Sequence, residues 1–280
     1  MSALLLEAER IKLARVLHAS PEALAFLEPL GLDGLRELRD RASAALYDEY
    51  RPMFQRIANS GRILPAGLLA LLSHKVFGPW ISARTAGLMP IERSVEISTR
   101  LSTDFMADMC LELDPRHVRE LLRRMPVKTI VAVARVMMQR KEYVTMARFV
   151  DSLTDEAIRA VSTDTRDDDA LVMIGFYVES GRALSATMGL LPADRLRGIV
   201  QRTVHGPAEL QHAGLAALCK VSDAVKGLMG DAAAALGDAT LRGLIERLSA
   251  DHDDAVLDAM IGRMAPEARQ RAQAMRRQPA

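Results

Sequence analysis

The chain repeats one arrangement of apolar and polar positions. An apolar residue is followed at the fifth position by a second, at the sixth by arginine and at the eighth by a third. It reads Leu30…Leu35-Arg36…Leu38, Leu113…Val118-Arg119…Leu121, Leu153…Ile158-Arg159…Val161, Leu191…Leu196-Arg197…Ile199 and Leu236…Leu241-Arg242…Leu244. The last four begin 40, 38 and 45 residues apart. Apolar residues three and four apart share a helix face, and a period of roughly 40 residues is that of two-helix HEAT- or armadillo-type repeats. The pattern predicts an all-α chain whose helical hairpins stack as an α-solenoid. Each hairpin carries an apolar stripe that it cannot cover alone, so several must stack together.

The same pattern divides the chain. Residues 1–60 read as an N-terminal helical unit: an amphipathic helix through Leu4, Ile11, Leu13, Val16 and Leu17, a restart at Ser20-Pro21-Glu22, and a longer helix from Asp33 to Ala58 bent at Pro52. Residues 61–280 read as the helical-repeat superhelix, with 61–112 either part of it or a connector. That stretch is the least regular, with helix openings at Ile63-Leu64-Pro65 and Leu88-Met89-Pro90 about a turn signal, Phe77-Gly78-Pro79-Trp80. Beyond it, Asp114-Pro115, Met125-Pro126, Thr154-Asp155-Glu156, Pro192-Ala193-Asp194, Gly206-Pro207 and Gly237-Asp238 each open a helix with proline or acid in the first turn. Asp251 to Asp254 opens another, and Ala265-Pro266-Glu267 begins a terminal helix that frays at Arg276-Arg277-Gln278-Pro279.

Composition agrees with helix. Apolar residues make up 49% of the 280, charged residues 26% and aromatics only 4%, while Leu, Ala and Met abound. Straight-chain side chains lose little freedom in a helix. Arg and Lys number 37 against 36 Asp and Glu, a net charge of +1 without the basic excess of a nucleic-acid binder. The longest apolar run, Ile63 to Leu72, is half the roughly 20 residues that cross a bilayer and contains Pro65 and Gly67. Leu4-Leu5-Leu6 is followed at once by charge, so no secretory segment is expected and the chain reads as cytoplasmic. Cys110 and Cys219 sit in apolar contexts and read as small core residues.

Leu113-Asp114-Pro115-Arg116-His117-Val118-Arg119-Glu120-Leu121-Leu122-Arg123-Arg124-Met125-Pro126 resembles the short helical repeats in the soluble N-terminal domain of MgtE-type magnesium transporters. It is also similar to the armadillo-like helices of the flagellar switch protein FliG. Leu191-Pro192-Ala193-Asp194-Arg195-Leu196 carries the same character, and the likeness covers about residues 113–250. It implies a right-handed superhelix that holds another protein or responds to an ion. The nucleotide-binding-like and membrane regions of the transporter, and the torque-helix domain of the switch protein, have no counterpart here.

Several residues are candidates for partner binding. Arg119, Arg159, Arg197 and Arg242 recur at one position and would line one edge of a solenoid, where guanidinium forks suit carboxylates or phosphates. A local reading competes: Asp155, Asp194 and Asp238 lie three or four residues before Arg159, Arg197 and Arg242, as Asp33 does before Arg36. Arg119 has no such acid. Arg116, Arg119 and Arg123, with Arg124 and Lys128 nearby, form either a basic docking face or a solvated one. Trp80, beside Phe77, is either an interface anchor or a core residue. Asp164, Asp167, Asp168 and Asp169, and separately Asp251, His252, Asp253 and Asp254, are either weak oxygen sites for a divalent cation or helix caps. The 15 methionines, Met137, Met138, Met146, Met173 and Met188 among them, either fill a core or line an adaptable pocket.

No zinc-spaced histidine pair, nucleophile elbow or phosphate loop is present, and no cofactor is implied. The leading expectation is a non-enzymatic scaffold that holds a protein partner on the superhelix groove. Its rivals are a carrier of a hydrophobic small molecule or lipid and a divalent-cation-responsive regulatory domain.

Overall fold

The computed structural model describes residues 2–250 and 254–277, and all regular structure among them is helical. Asp251, His252 and Asp253 of the second acidic cluster lie outside the described residues, as do Gln278 and Pro279. Internal contacts divide the chain into two compact units, Met1–Val136 and Met137–Ala280.

The first unit contains α1 (Ser2–Val16), α2 (Gly31–Gly61), α3 (Ala66–Leu72), α4 (Gly78–Ala86), α5 (Ile91–Ser98), α6 (Thr103–Glu112), α7 (Arg119–Arg124) and most of α8 (Val127–Gln139). α1 packs on α2 through Leu13, Ala14 and Leu35, with Leu24 of the intervening 3-10 segment and Leu38 alongside, so Leu35 and Leu38 of the first copy of the repeated phrase supply core. A second cluster joins Ala66, Leu69 and Ala70 of α3 to Ile97 of α5. α2 also packs against α4, so the helices on either side of residue 60 share this unit. α2 runs unbroken through Pro52, which is exposed, so the carbonyl left without a donor meets water. A chain of alternating charges also holds the unit: Lys12 donates to Glu9 (2.9 Å), Arg39 donates to Glu9 (2.6 Å), and Arg39 lies 3.2 Å from Asp40. Glu9 and Lys12 are buried, and a charge removed from water must be paired in this way.

The second unit contains α9 (Tyr143–Phe149), α10 (Asp155–Asp164), α11 (Asp168–Tyr177), α12 (Gly181–Leu190), α13 (Ala193–His205), α14 (Ala208–Lys220), α15 (Asp223–Leu236), α16 (Asp238–Ala250), α17 (Asp254–Arg263) and α18 (Pro266–Arg277). The repeated phrase opens α10, α13 and α16, two residues after its first leucine in each case. Each interval therefore holds three helices, where the sequence pattern led us to expect hairpins of two. The additional helices are α12 and α15, which begin at Ser180-Gly181 and Ser222-Asp223; Ser180 Oγ accepts from Ala183 N–H (3.1 Å) as a cap.

Packing follows the triplets. The first and third helices touch in all three (α10 with α12, α13 with α15, α16 with α18), and successive third helices touch as well (α12 with α15, α15 with α18). α15 also lies tightly on α17. A Cβ on Gly227 would come 2.5 Å from the Arg263 carbonyl oxygen, and one on Gly230 would come 2.8 Å from Met264 Sδ. In α13 and α16 the phrase's second and third apolar positions point inward, with Leu196, Ile199, Leu241 and Leu244 all buried, while Leu30 and Leu236, its first leucines, are exposed.

Candidate partner-binding surface

The arginines separate into two populations. One is engaged by the fold. Arg195 of α13 reaches Asp168 at the start of α11 (3.0 Å), and Arg202 grips Asp169 with both its Nε and Nη2 (the latter at 2.9 Å). Arg271 of α18 donates to Asp238 (Nε, 2.9 Å), and Arg276 lies against Asp254 and Asp258. Arg116 belongs here too. It donates to Asp114 through Nε (3.1 Å) and Nη2 (2.7 Å) and lies 3.4 Å from Asp40. The hydrogen bonds to Asp114 raise its pKa further.

Arg116 also departs from the helix face expected of it. Asp114 caps a single 3-10 turn, Pro115–His117, by accepting from Arg116 N–H (3.0 Å). Val118 then leaves helical geometry (φ −122, ψ 16), and α7 starts afresh at Arg119. The register is broken between Arg116 and the pair Arg119 and Arg123.

The second population is idle. Arg119 and Arg123 are exposed, four residues apart on α7, and their side chains make no hydrogen bond or ion pair among the described residues. Exposed Lys128 follows on α8, and Arg124 lies 3.8 Å from Glu120. Arg159, Arg197 and Arg242 are each the fifth residue of their helix, α10, α13 and α16. Arg159 is exposed and the other two half-buried, and none has a side-chain partner among the described residues. The local acids are turned elsewhere: Asp194 lies 3.3 Å from Arg195, and Asp238 accepts from Arg271. Among the described residues, Arg36 with Asp33 is the one expected local pair that is made, at 3.6 Å.

Trp80 sits within α4, not on a turn. Gly78, with φ +67, makes the turn, and Pro79 starts the helix. The indole is 36% exposed and packs edge-on against Phe54 (5.2 Å between centroids) and Tyr50 (6.3 Å) of α2. Leu46, Tyr50 and Met53 form an exposed stripe on α2 beside it. Their spacing of four and three, one helix face, is the sequence signal that marks this stripe.

Asp167, Asp168 and Asp169 open α11. Asp167 accepts from Ala170 N–H (3.0 Å) as its cap. Burial raises the Asp168 carboxyl, Arg195 lowers it, and the neighbouring aspartates raise it again. Burial and then Asp167 and Asp169 push up the Tyr143 hydroxyl. At the far end of α11, the Lys220 ammonium donates to the carbonyls of Phe176 and Val178 (3.0 Å to the latter). No group of three or more His, Cys, Asp or Glu among the described residues is placed to hold a metal ion.

Two other features complete the inventory. In the second unit, α11, α12 and α14, with Ile199 of α13 and Met229 of α15, line a partly open apolar pocket of about 70 Å³ that includes Leu171, Gly175, Leu184 and Met188. In the first, His117 stacks on Tyr47 at 4.2 Å between centroids. No disulfide joins Cys110 and Cys219, and burial pushes the Cys110 thiol up to about 12. No helix among the described residues is long and apolar enough to cross a membrane. Comparison with known protein families, with curated proteins and with solved structures finds no match to this chain.

Proposed function

We propose that the chain is a non-enzymatic, helical-repeat binding module of the cytoplasm that holds an acidic segment of a protein partner. One observation carries this reading: the fold spends Arg195, Arg202, Arg271 and Arg276 on its own carboxylates and leaves Arg119 and Arg123 exposed and without partners among the described residues. Unpaired guanidinium forks present charge that steers and orients a carboxylate-bearing segment. The idle arginines of α10, α13 and α16 are candidates for extending the contact. The recurrence of the phrase at every third helix, with matching contacts between triplets, supports stacked helical repeats, and a right-handed armadillo-like winding of them is part of this proposal. The likeness to the MgtE and FliG helical repeats points the same way.

The rival readings have less support. A lipid carrier needs a pocket of roughly 300–1,000 Å³, against about 70 Å³ here. A cation-responsive site at Asp168 and Asp169 would compete with Arg195 and Arg202.

The test uses a fluorescent oligoglutamate peptide and anisotropy at low salt. Arg119→Glu with Arg123→Glu should weaken binding by about tenfold or more, near 1.4 kcal/mol. Arg182→Glu, at an exposed arginine of α12, should leave it unchanged. Equal affinities for the wild type and the double variant would sink the proposal.

A further inference from the structure

We infer that the apolar pocket of the second unit is a binding site for the short alkyl group of an uncharged small molecule. Its lining is aliphatic apart from the thioethers of Met188 and Met229 and from Thr187, the one lining side chain with a hydroxyl, and it contains no charged residue. Water finds too few hydrogen-bond partners on such a surface, and an apolar cavity of about 150 Å³ stays dry and takes up benzene. The present space, about 70 Å³, suits a group of a few carbons. The lining excludes a charged ligand, because an ion desolvated there would have no partner.

Gly175 gives the second argument. Gly214, also in the lining, is required by packing, since a Cβ there would come 2.7 Å from Thr203 Cγ2 and closer still to the hydroxyl. Gly175 is under no such constraint. A Cβ on it would meet Leu184 Cδ1 at 3.6 Å and Ala217 Cβ at 4.0 Å, ordinary contact distances. Alanine is the better helix former inside α11, and its methyl would occupy pocket space. Glycine here maintains a space that neither helix geometry nor close packing demands. Arg119 and Arg123 take no part in it, so this site stands or falls apart from the acidic-segment reading.

A titration of the full chain with uncharged linear alcohols, propanol through decanol, tests the assignment by NMR of the Leu184, Met188 and Leu218 methyls. The expected result is saturable shifts at these methyls. Affinity should climb about fourfold per methylene for the short alcohols and then level off once the space is full. Gly175→Ala should weaken pentanol binding by about tenfold while the protein melts at the same or a higher temperature, which separates filling from unfolding. Shifts that never saturate, or wild-type affinity in Gly175→Ala, would overturn the inference. A climb that continues unbroken to decanol would replace the short ligand with an acyl chain.

Discussion

Two glycines in the same pocket wall should answer alanine in opposite directions. Gly175→Ala adds a methyl at ordinary contact distance and removes a helix-interior glycine, which is worth about 0.8–1 kcal/mol. The melting temperature should rise by about 2–4 °C. Gly214→Ala drives a methyl into Thr203, a buried residue whose hydroxyl donates to the Ile199 carbonyl (2.8 Å). Overpacking of this kind costs about 1–3 kcal/mol, so that variant should melt lower. Thermal denaturation by circular dichroism checks both, and a shift of the same sign in the two variants would contradict the packing described. A composition count does not distinguish these glycines. The difference lies in what each faces, and only the packed helices supply that.

At the scale of an element, α11 is stabilised at both ends: three aspartates with Arg195 and Arg202 at its start, and Lys220 on its last carbonyls. The local half of this was legible, because aspartates before an apolar run read as caps and Asp167 is one. The cross-helix half was not, since Arg202 is 33 residues from Asp169 and nothing in the spacing marks it. The raised Asp168 pKa has a pH signature. A carboxyl that binds its proton more tightly when folded makes stability fall as pH rises from the ordinary aspartate value to the raised one. Asp168→Asn removes this step. Plotted as a difference, the wild type should lose stability relative to Asp168→Asn across that acidic window and run parallel to it at neutral pH. Urea melts at a series of pH values read this out. A wild type that gains stability over the variant across that window would show that the Arg195 pair outweighs burial.

For the whole molecule, the division into two compact units predicts partial autonomy. The second has its own buried core, with Leu241, Leu248, Leu257 and Met260 fully enclosed. A fragment from α9 to the C-terminus should keep a helical spectrum and melt cooperatively. A single triplet such as α10–α12 should not, because each repeat leaves an apolar face that its neighbours cover. A fragment that loses its helicity gradually, without a transition, would show that the second unit depends on the first.

The order of apolar, charged and capping residues was enough by itself to establish an all-helical chain and the recurrence near 40 residues, because both are local consequences of side-chain periodicity and backbone capping. It also placed the starts of α10, α13 and α16. Folding decided that each recurrence holds three helices: Gly181 reads in the sequence as the stop of a helix, and that it instead begins α12, and that α15 begins at Asp223, follows only from the packed chain. Folding also decided which arginines are engaged. Ion pairing depends on distance in space, and the carboxylates that the sequence set beside Arg197 and Arg242 met Arg195 and Arg271 instead.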